Sequence, residues 1–537
     1  MKADDAKIGD RGIHNKEGLQ QRSPARTKQV VDRRACWSHT WDSRIDQAFP
    51  YRQPPCSSTQ PPCAACTPSM GVGIATYGVY APDARRSLAR LSLLCRTLSM
   101  RFRLRAHLPD AAIMMTLFQR GWGVVAGLVM VLMTSTIFSR ETQGFYYTFN
   151  SLIALQAFFE LGLNFVLIQI VSHDYGHIGT DDADRDAAAR DRVAMLFLSV
   201  RRWFLISAVL FALVVGLGGI AFLAMGQDNL SPGEWIPAWL LVAAAGAVNL
   251  YYSPQIAMAE GGGKVLAVAR LRMIVSIVGY GACWLLLLVR PGLLPVACIG
   301  IASAIGSAWW VHRHSGMPEL AAAAPKAATP YGWRKDILPL QWRVGLSWLS
   351  GYLLYQLFTP LTFAHRGATE AAMMGLSLSM FGNIALISMS WLSASTPALS
   401  GMVARGERTE LRRRFRHLFV QSMGFQLLGA VGLCVVVGVG SHLELPVMDR
   451  FLPMADLALV ALISCCNVAV FAFATFMRVH KEEPMTWNSL VCGLLIAAST
   501  YVTSFYGATW VLGCYLAIIA IISLPWSFIL LRSYWRR

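Results

Sequence analysis

The chain has 537 residues, 55% of them hydrophobic and only 14% charged, where an ordinary soluble domain carries about a quarter of its residues charged. That balance excludes a soluble enzyme or regulator and describes a polytopic membrane protein. A formal net charge of +17 raises nucleic acid as a partner. The Lys and Arg residues, however, sit in an N-terminal tail and in loops between apolar runs, a placement that belongs to membranes.

Residues 1–110 differ from the rest. They are rich in Arg, Pro, Ser and Cys, include "PPCSSTQPPCAAC" and sustain no helical or strand period. Such a segment lacks the apolar area to offset the entropy of ordering, so it is expected to be a disordered tail. Met100, just before "RFRLRAHLPD", is a plausible true start. Cys56, Cys63 and Cys66 contain one Cys-x-x-Cys but no second pair at zinc-finger spacing, so no metal is expected. No tripartite signal peptide opens the chain. The later cysteines, from Cys283 to Cys514, fall in apolar runs and read as small hydrophobes, not a disulfide framework.

A helix needs about 20 apolar residues to cross the hydrocarbon core. Twelve stretches qualify, near 113–138, 145–171, 203–225, 235–258, 268–289, 292–311, 343–364, 371–402, 417–440, 452–477, 486–505 and 508–531. Lys and Arg crowd the loops after the even-numbered stretches, as in Arg185 to Arg202 and Arg405 to Arg416. After the odd-numbered ones only Arg140, Arg290, Arg366 and Arg450 appear. The positive-inside rule then puts both termini in the cytoplasm.

All loops assigned to the outside are short, which argues against a membrane-bound glycan polymerase or ligase. No carboxylate pair or His cluster lies on a loop. "GGGK" at 261–264 lacks the spacing of a phosphate-binding loop, so ATP-driven transport on this chain is not expected. No resident cofactor is implied.

Loop lengths repeat between the first six stretches and the last six. "QR" opens the first span and "QWR" the seventh, and "SRETQGFYYTFNSL" at 139–152 is matched by "HRGATEAAMMGLSL" at 365–378. The expected organisation is an N-lobe at 111–311, a linker at 312–342 and a C-lobe at 343–537. Six helices repeated in one orientation form a parallel repeat, a recurrent plan for secondary transporters.

"QRGWGVVAGL", "QGFYYTFNSLIALQAFFELGLNFVLIQIVSH", "AEGGGKVLAVARLRM" and "RVHKEEPMTWNSLVCGLLIAASTY" together resemble the bacterial polysaccharide-biosynthesis transporters of the multidrug, oligosaccharidyl-lipid and polysaccharide flippase superfamily. The resemblance covers roughly residues 113–531. It implies an all-α, MATE-like, V-shaped bundle of twelve helices in two lobes in the bacterial inner membrane. The function that it implies is to flip a polyprenyl-diphosphate-linked oligosaccharide outward for lipopolysaccharide, exopolysaccharide or other surface glycans. Polysaccharide polymerases and glycosyltransferases are the partners that this role implies.

A flippase shelters a polar, anionic headgroup, so cations and hydrogen-bonding groups inside the spans are its candidate site. Arg120 sits roughly 10 Å into the first span, and Arg343 takes the matching place in the seventh. They suit capture of a diphosphate, or, taken singly, anchoring to phospholipid headgroups. Glu160 falls near the midplane of span 2, with Gln156 and Asn164 four residues to either side. On a continuous helix these form one polar stripe. Glu160 is therefore a candidate site for coupling to H+ or Na+, with a structural tie to a neighbouring helix as the other reading. Asn249, Tyr252 and Gln255, beside Pro254 in span 4, are candidates for sugar contact. A cation-coupled multidrug exporter of the same superfamily is the alternative function.

Overall fold

The computed structural model describes residues 111–536, apart from 177, 179–182, 227–229, 324–336, 481 and 483. The expected tail over 1–110, with its Cys-x-x-Cys and the start near Met100, lies outside the described residues, as does the stretch 324–336 of the expected linker.

Every one of the twelve apolar stretches contains helix, and no strand occurs among the described residues. In a bilayer a helix satisfies its own backbone groups, which is why long runs of Leu, Val, Ile, Ala and Phe fold this way. In chain order the segments are α1 (Ala111–Ile137), α2 (in three pieces, Arg140–Ile153, Gln156–Glu160 and Leu163–Tyr175) and α3 (Ala183–Phe211, continuing through a π-helical turn at Ala212–Leu217 into Gly218–Leu223). They continue with α4 (Pro232–Gly261), α5 (Val265–Val289), α6 (Ala297–His314) and α7 (Leu338–Tyr355 with Phe358–Arg366). The last are α8 (Ala368–Ala404), α9 (Arg408–His442), α10 (Met454–Arg478), α11 (Thr486–Thr503) and α12 (Ala508–Ile518, a π-helical turn, then Leu524–Arg536). Among the described residues nine are long and apolar enough to cross a membrane, and ten if the bent α2 counts as one. The expected twelve crossings therefore include two segments, α7 and α11, that are helical but less apolar. The protein is a multi-pass, all-helical membrane protein.

The neighbours of each helix repeat with an offset of six. In the first half α1 packs on α5, α2 on α4, α3 on α4, α4 on α6 and α5 on α6. In the second half α7 packs on α11, α8 on α10, α9 on α10, α10 on α12 and α11 on α12. Even a polar detail recurs: Asn249 of α4 donates to the Gly300 carbonyl of α6 (3.0 Å), and Asn467 of α10 donates to the Tyr515 hydroxyl of α12 (3.1 Å).

The halves meet through α1 and α2 on one side and α7 and α8 on the other. Their closest approach is at the end of the bundle poor in Lys and Arg. A side chain on Gly144 would place its Cβ 2.0 Å from the Ala368 carbonyl oxygen. Glycine there removes the atom that would hold the two backbones apart. Phe145 packs edge-on against Phe363 with ring centroids 4.9 Å apart. Three of the four basic residues at this end are engaged. Arg366, the last residue of α7, pairs with Glu370 in the first turn of α8 (2.7 Å), whereas Arg140 with Asp449 (3.7 Å) and Arg450 with the Gln143 amide oxygen (3.3 Å) cross between the halves.

This contact has a direct test. Gly144→Val should wedge the halves apart, because neither backbone can yield without moving a whole helix. Spin labels placed at positions 140 and 449 should report one short distance in the parent protein and a longer, broader distribution in the variant. An unchanged distribution would show that the contact is not what holds this end closed.

Candidate functional site

The second segment carries the most unusual backbone in the bundle. Leu161 (φ 47°, ψ 36°) and Gly162 (φ 66°, ψ 14°) are both left-handed, and they separate two pieces of α2 that diverge by 44°. A left-handed conformation is free for Gly162, but for Leu161 it costs about 1–2 kcal/mol. The expectation of an unbroken stripe of Gln156, Glu160 and Asn164 is corrected here: the helix stops at Glu160 and restarts at Leu163. The three side chains converge all the same, because the break re-aims Asn164 toward the same neighbour, α4.

That neighbour receives them in sequence. The Gln156 amide donates to the Gly246 carbonyl at 2.6 Å. Lower down, Asn164 Nδ2 donates to Glu160 Oε2 (3.2 Å) and lies 3.2 Å from Ser253 Oγ. The Ser253 hydroxyl reaches Glu160 Oε1 at 3.0 Å and the Leu250 carbonyl at 3.3 Å. Pro254 explains the second contact: it has no N–H, so the Leu250 carbonyl lacks its helical donor. One hydroxyl proton thus has two acceptors, a freed carbonyl and a carboxyl group. No Lys or Arg pairs with Glu160 among the described residues, and Asn164 Oδ1 is buried with no hydrogen-bond partner.

Gln156, Asn164 and Ser253, though not Glu160 itself, border a cavity of about 520 Å³ inside the first half. Gln156, Asn164, Asn249 and Ser253 line it, together with Ser303 and Ser307 of α6, Arg272 and Tyr280 of α5, and Tyr146 and Asn150 of α2. Arg272 is held by Glu260 at 2.8 Å, and Asn249 is fixed by Ser303, which donates to its Oδ1 at 2.8 Å. Among the described residues no three His, Cys, Asp or Glu side chains gather as metal ligands.

Other expected site residues lie elsewhere. Positions 249, 253 and 256 of α4 face the cavity, and helical geometry turns 252 and 255 onto adjacent faces. Gln255 is buried, its amide donating to the Tyr251 carbonyl (3.0 Å). Tyr252 meets His312 Nε2 at 3.1 Å. Pro254 does not interrupt α4, which runs whole from Pro232 to Gly261. Arg120 is exposed on α1, and the side chain of Arg343 lies outside the described residues.

A second recess of about 390 Å³ lies between the halves, where Ala154 and Ala157 of α2 face Trp348, Gly351, Tyr352, Tyr355 and Gln356 of α7. Tyr352 donates to the Ser151 carbonyl (3.3 Å) and stacks edge-on against Phe158 at 5.0 Å. Trp348 and Tyr355 remain half-exposed. Sequence reading missed these rings, although their spacing of four and then three residues marks one helical face. The break in α2 stands between the two spaces: Glu160 is bonded to α4, and a Cβ on Gly345 of α7 would lie 3.1 Å from Leu161 Cβ.

No family model and no curated protein matches this sequence. Solved structures do. A lipid II flippase, MurJ, in an inward closed conformation is similar over 78% of this chain and 87% of its own, at 10% identity and a TM-score of 0.55. An inward-facing multidrug resistance MATE family transporter of the MOP superfamily is similar over 79% of this chain and 98% of its own, at 14% identity and a TM-score of 0.51. At these identities the likeness concerns the fold, and the fold is that of these membrane transporters.

The break is testable through Gly162. Gly162→Ala should cost about 1 kcal/mol, since alanine disfavours positive φ, and lower the thermal midpoint in detergent, while Gly162→Asn should cost less. Equal midpoints for glycine and alanine would mean that the left-handed turn is not required.

Proposed function

We propose that this protein is a flippase that moves a polyprenyl-diphosphate-linked oligosaccharide from the cytoplasmic to the outer leaflet of the bacterial inner membrane by alternating access, for surface or extracellular polysaccharide. One observation carries the reading: an interrupted helix places a cavity, two of whose lining residues, Asn164 and Ser253, hold the Glu160 carboxyl, on one side and an aromatic recess between two repeated halves on the other. Intramembrane polar groups of this kind are costly unless they serve a substrate or ion.

In this mechanism Trp348, Tyr352 and Tyr355 offer ring faces to sugars, with Gln356 as a hydrogen-bonding partner. Arg120 and Arg343 receive the diphosphate at the cytoplasmic mouth, one from each half. The lipid tail stays in the bilayer. Glu160 with Asn164 and Ser253 is the coupling site. The Glu160 carboxyl and the Ser253 hydroxyl offer oxygen, which suits a proton or a hard cation such as Na+, while Asn164 meets both through Nδ2 and keeps a buried Oδ1 without a hydrogen-bond partner. Because Leu161 touches α7, a change at the Glu160 carboxyl reaches the interface between the halves through the two-residue break. The contact at the Lys- and Arg-poor end is the closed gate of an inward-open state.

A cation-coupled exporter of small molecules is the second reading, favoured by the Glu160 cluster itself, which needs no sugar to explain it. One pair of substitutions separates them. Glu160→Gln should abolish transport under either reading while the protein remains folded in the membrane. Trp348→Ala with Tyr355→Ala should weaken binding of a lipid-linked oligosaccharide by about tenfold, or about 1.4 kcal/mol, measured in detergent against the bare polyprenyl diphosphate. If Glu160→Gln still restores surface polysaccharide in a complementation assay, Glu160 is not in the mechanism. If the ring variants bind as the parent does, the recess is not a sugar site.

A further inference from the structure

The start of α9 carries a basic cluster that the transport path does not use. Leu411, Phe415 and Leu418 point inward and are buried, with Phe415 packed on Phe476 of α10 at 4.5 Å. Arg412, Arg413, Arg416 and His417 occupy the other faces. Trp535, near the end of α12, leans on Phe415 and Phe476 with ring centroids 6.0 and 5.5 Å away. Between the arginines and this indole runs a groove of about 470 Å³, lined by Arg412, Arg413, Arg416, His417, Val420 and Trp535.

Two features show what the groove is shaped to hold. The first is uncompensated charge: Arg413 is paired with Glu410 at 2.9 Å, but no ion pair is made by Arg412 or Arg416 among the described residues. They stand one helical turn apart and repel each other. An anion with several oxygens relieves both at once, and guanidinium groups match phosphate geometry. The second is continuity with an apolar strip. Arg416, Val420, Gly424, Leu427 and Val431 follow spacings of four, four, three and four, so they lie in a line along α9. Val420, Leu427 and Val431 are 61, 49 and 59% exposed, and nothing lies within 4 Å of where a Gly424 Cβ would be. The basic head therefore opens directly onto a lipid-facing channel with a notch in it.

We propose that this groove binds an anionic phospholipid of the cytoplasmic leaflet, its phosphate between Arg412 and Arg416, its headgroup against Trp535 and one acyl chain along Val420 to Val431. A free phosphate would use only the head of the site, and an acidic protein segment would not follow the strip into the hydrocarbon. Anionic lipids in the inner leaflet are attracted to such juxtamembrane basic groups, and here the groove adds a defined seat. The site lies on the opposite half from the Glu160 pocket and does not depend on which substrate is transported.

The test is native mass spectrometry of the full chain in detergent, titrated with phosphatidylglycerol or phosphatidylcholine. Phosphatidylglycerol should bind preferentially. Arg412→Gln with Arg416→Gln should weaken it about tenfold, whereas Arg414→Gln, an exposed neighbour outside the groove, should change it less than twofold. Millimolar inorganic phosphate should not displace the lipid. If the double glutamine variant is not monodisperse, Arg412→Lys with Arg416→Lys replaces it, with an expected loss of about threefold as the bidentate geometry goes and the charge stays. The proposal is overturned by equal binding of the two lipids, by Arg414→Gln weakening binding as much as the groove variant, by no loss in the lysine pair, or by displacement with phosphate alone.

Discussion

A carboxyl group inside an apolar bundle is the constraint from which the rest of this structure follows. Glu160 is served by two neutral donors, Ser253 at 3.0 Å and Asn164 at 3.2 Å, and by no basic residue among those described. In a low-dielectric interior such an arrangement is balanced: it accommodates a proton or a small cation, and it is expensive when it holds neither. Around this group the backbone of α2 is broken and α4 gives up a helical hydrogen bond at Pro254, and its partners Asn164 and Ser253 line a cavity of mixed polar and apolar side chains.

The break matters because it has two sides. A continuous helix would present Glu160 and Leu161 as neighbours on one rigid rod. Two successive left-handed residues instead let Glu160 engage α4 while Leu161 bears on α7 of the other half, at Gly345. In the proposed mechanism, a change in the protonation or cation occupancy at Glu160 is thereby adjacent to the surface where the halves meet. The strain of Leu161 in a left-handed conformation is held in place by that packing. At the Lys- and Arg-poor end, Gly144 and the pairs of Arg140 with Asp449 and Arg450 with Gln143 keep the halves together. Transport would require these contacts to break as others form.

Much of the fold was legible in the sequence, because hydropathy and the distribution of Arg and Lys are strong signals of span position. The duplication was visible in "SRETQGFYYTFNSL" and "HRGATEAAMMGLSL", and the structure repeats it in the pairing of helices. Glu160 stood out because a charge amid Leu, Phe and Ile has few innocuous explanations. The break beside it did not, since "ELGLN" fits a helix as well as a turn and only the packing of Leu161 on α7 decides between them. Asn249, Tyr252 and Gln255 were grouped because they lie beside Pro254, and the phase of α4 turns only Asn249 of the three to the cavity. Trp348, Tyr352 and Tyr355 were not singled out in the sequence, since aromatic residues are common in membrane spans and a ring face lining an internal recess leaves no distinctive mark in composition.

The proposed role of Glu160 beside the interface between the halves, in a protein that moves a lipid-linked oligosaccharide, is to place that movement under the control of an ion. Reconstituted into proteoliposomes loaded with a fluorescent polyprenyl-diphosphate oligosaccharide, the parent protein should expose the sugar on the opposite leaflet faster when a proton or sodium gradient is imposed than when it is collapsed. Sugar exposure no faster than in protein-free liposomes, with or without either gradient, would contradict this mechanism.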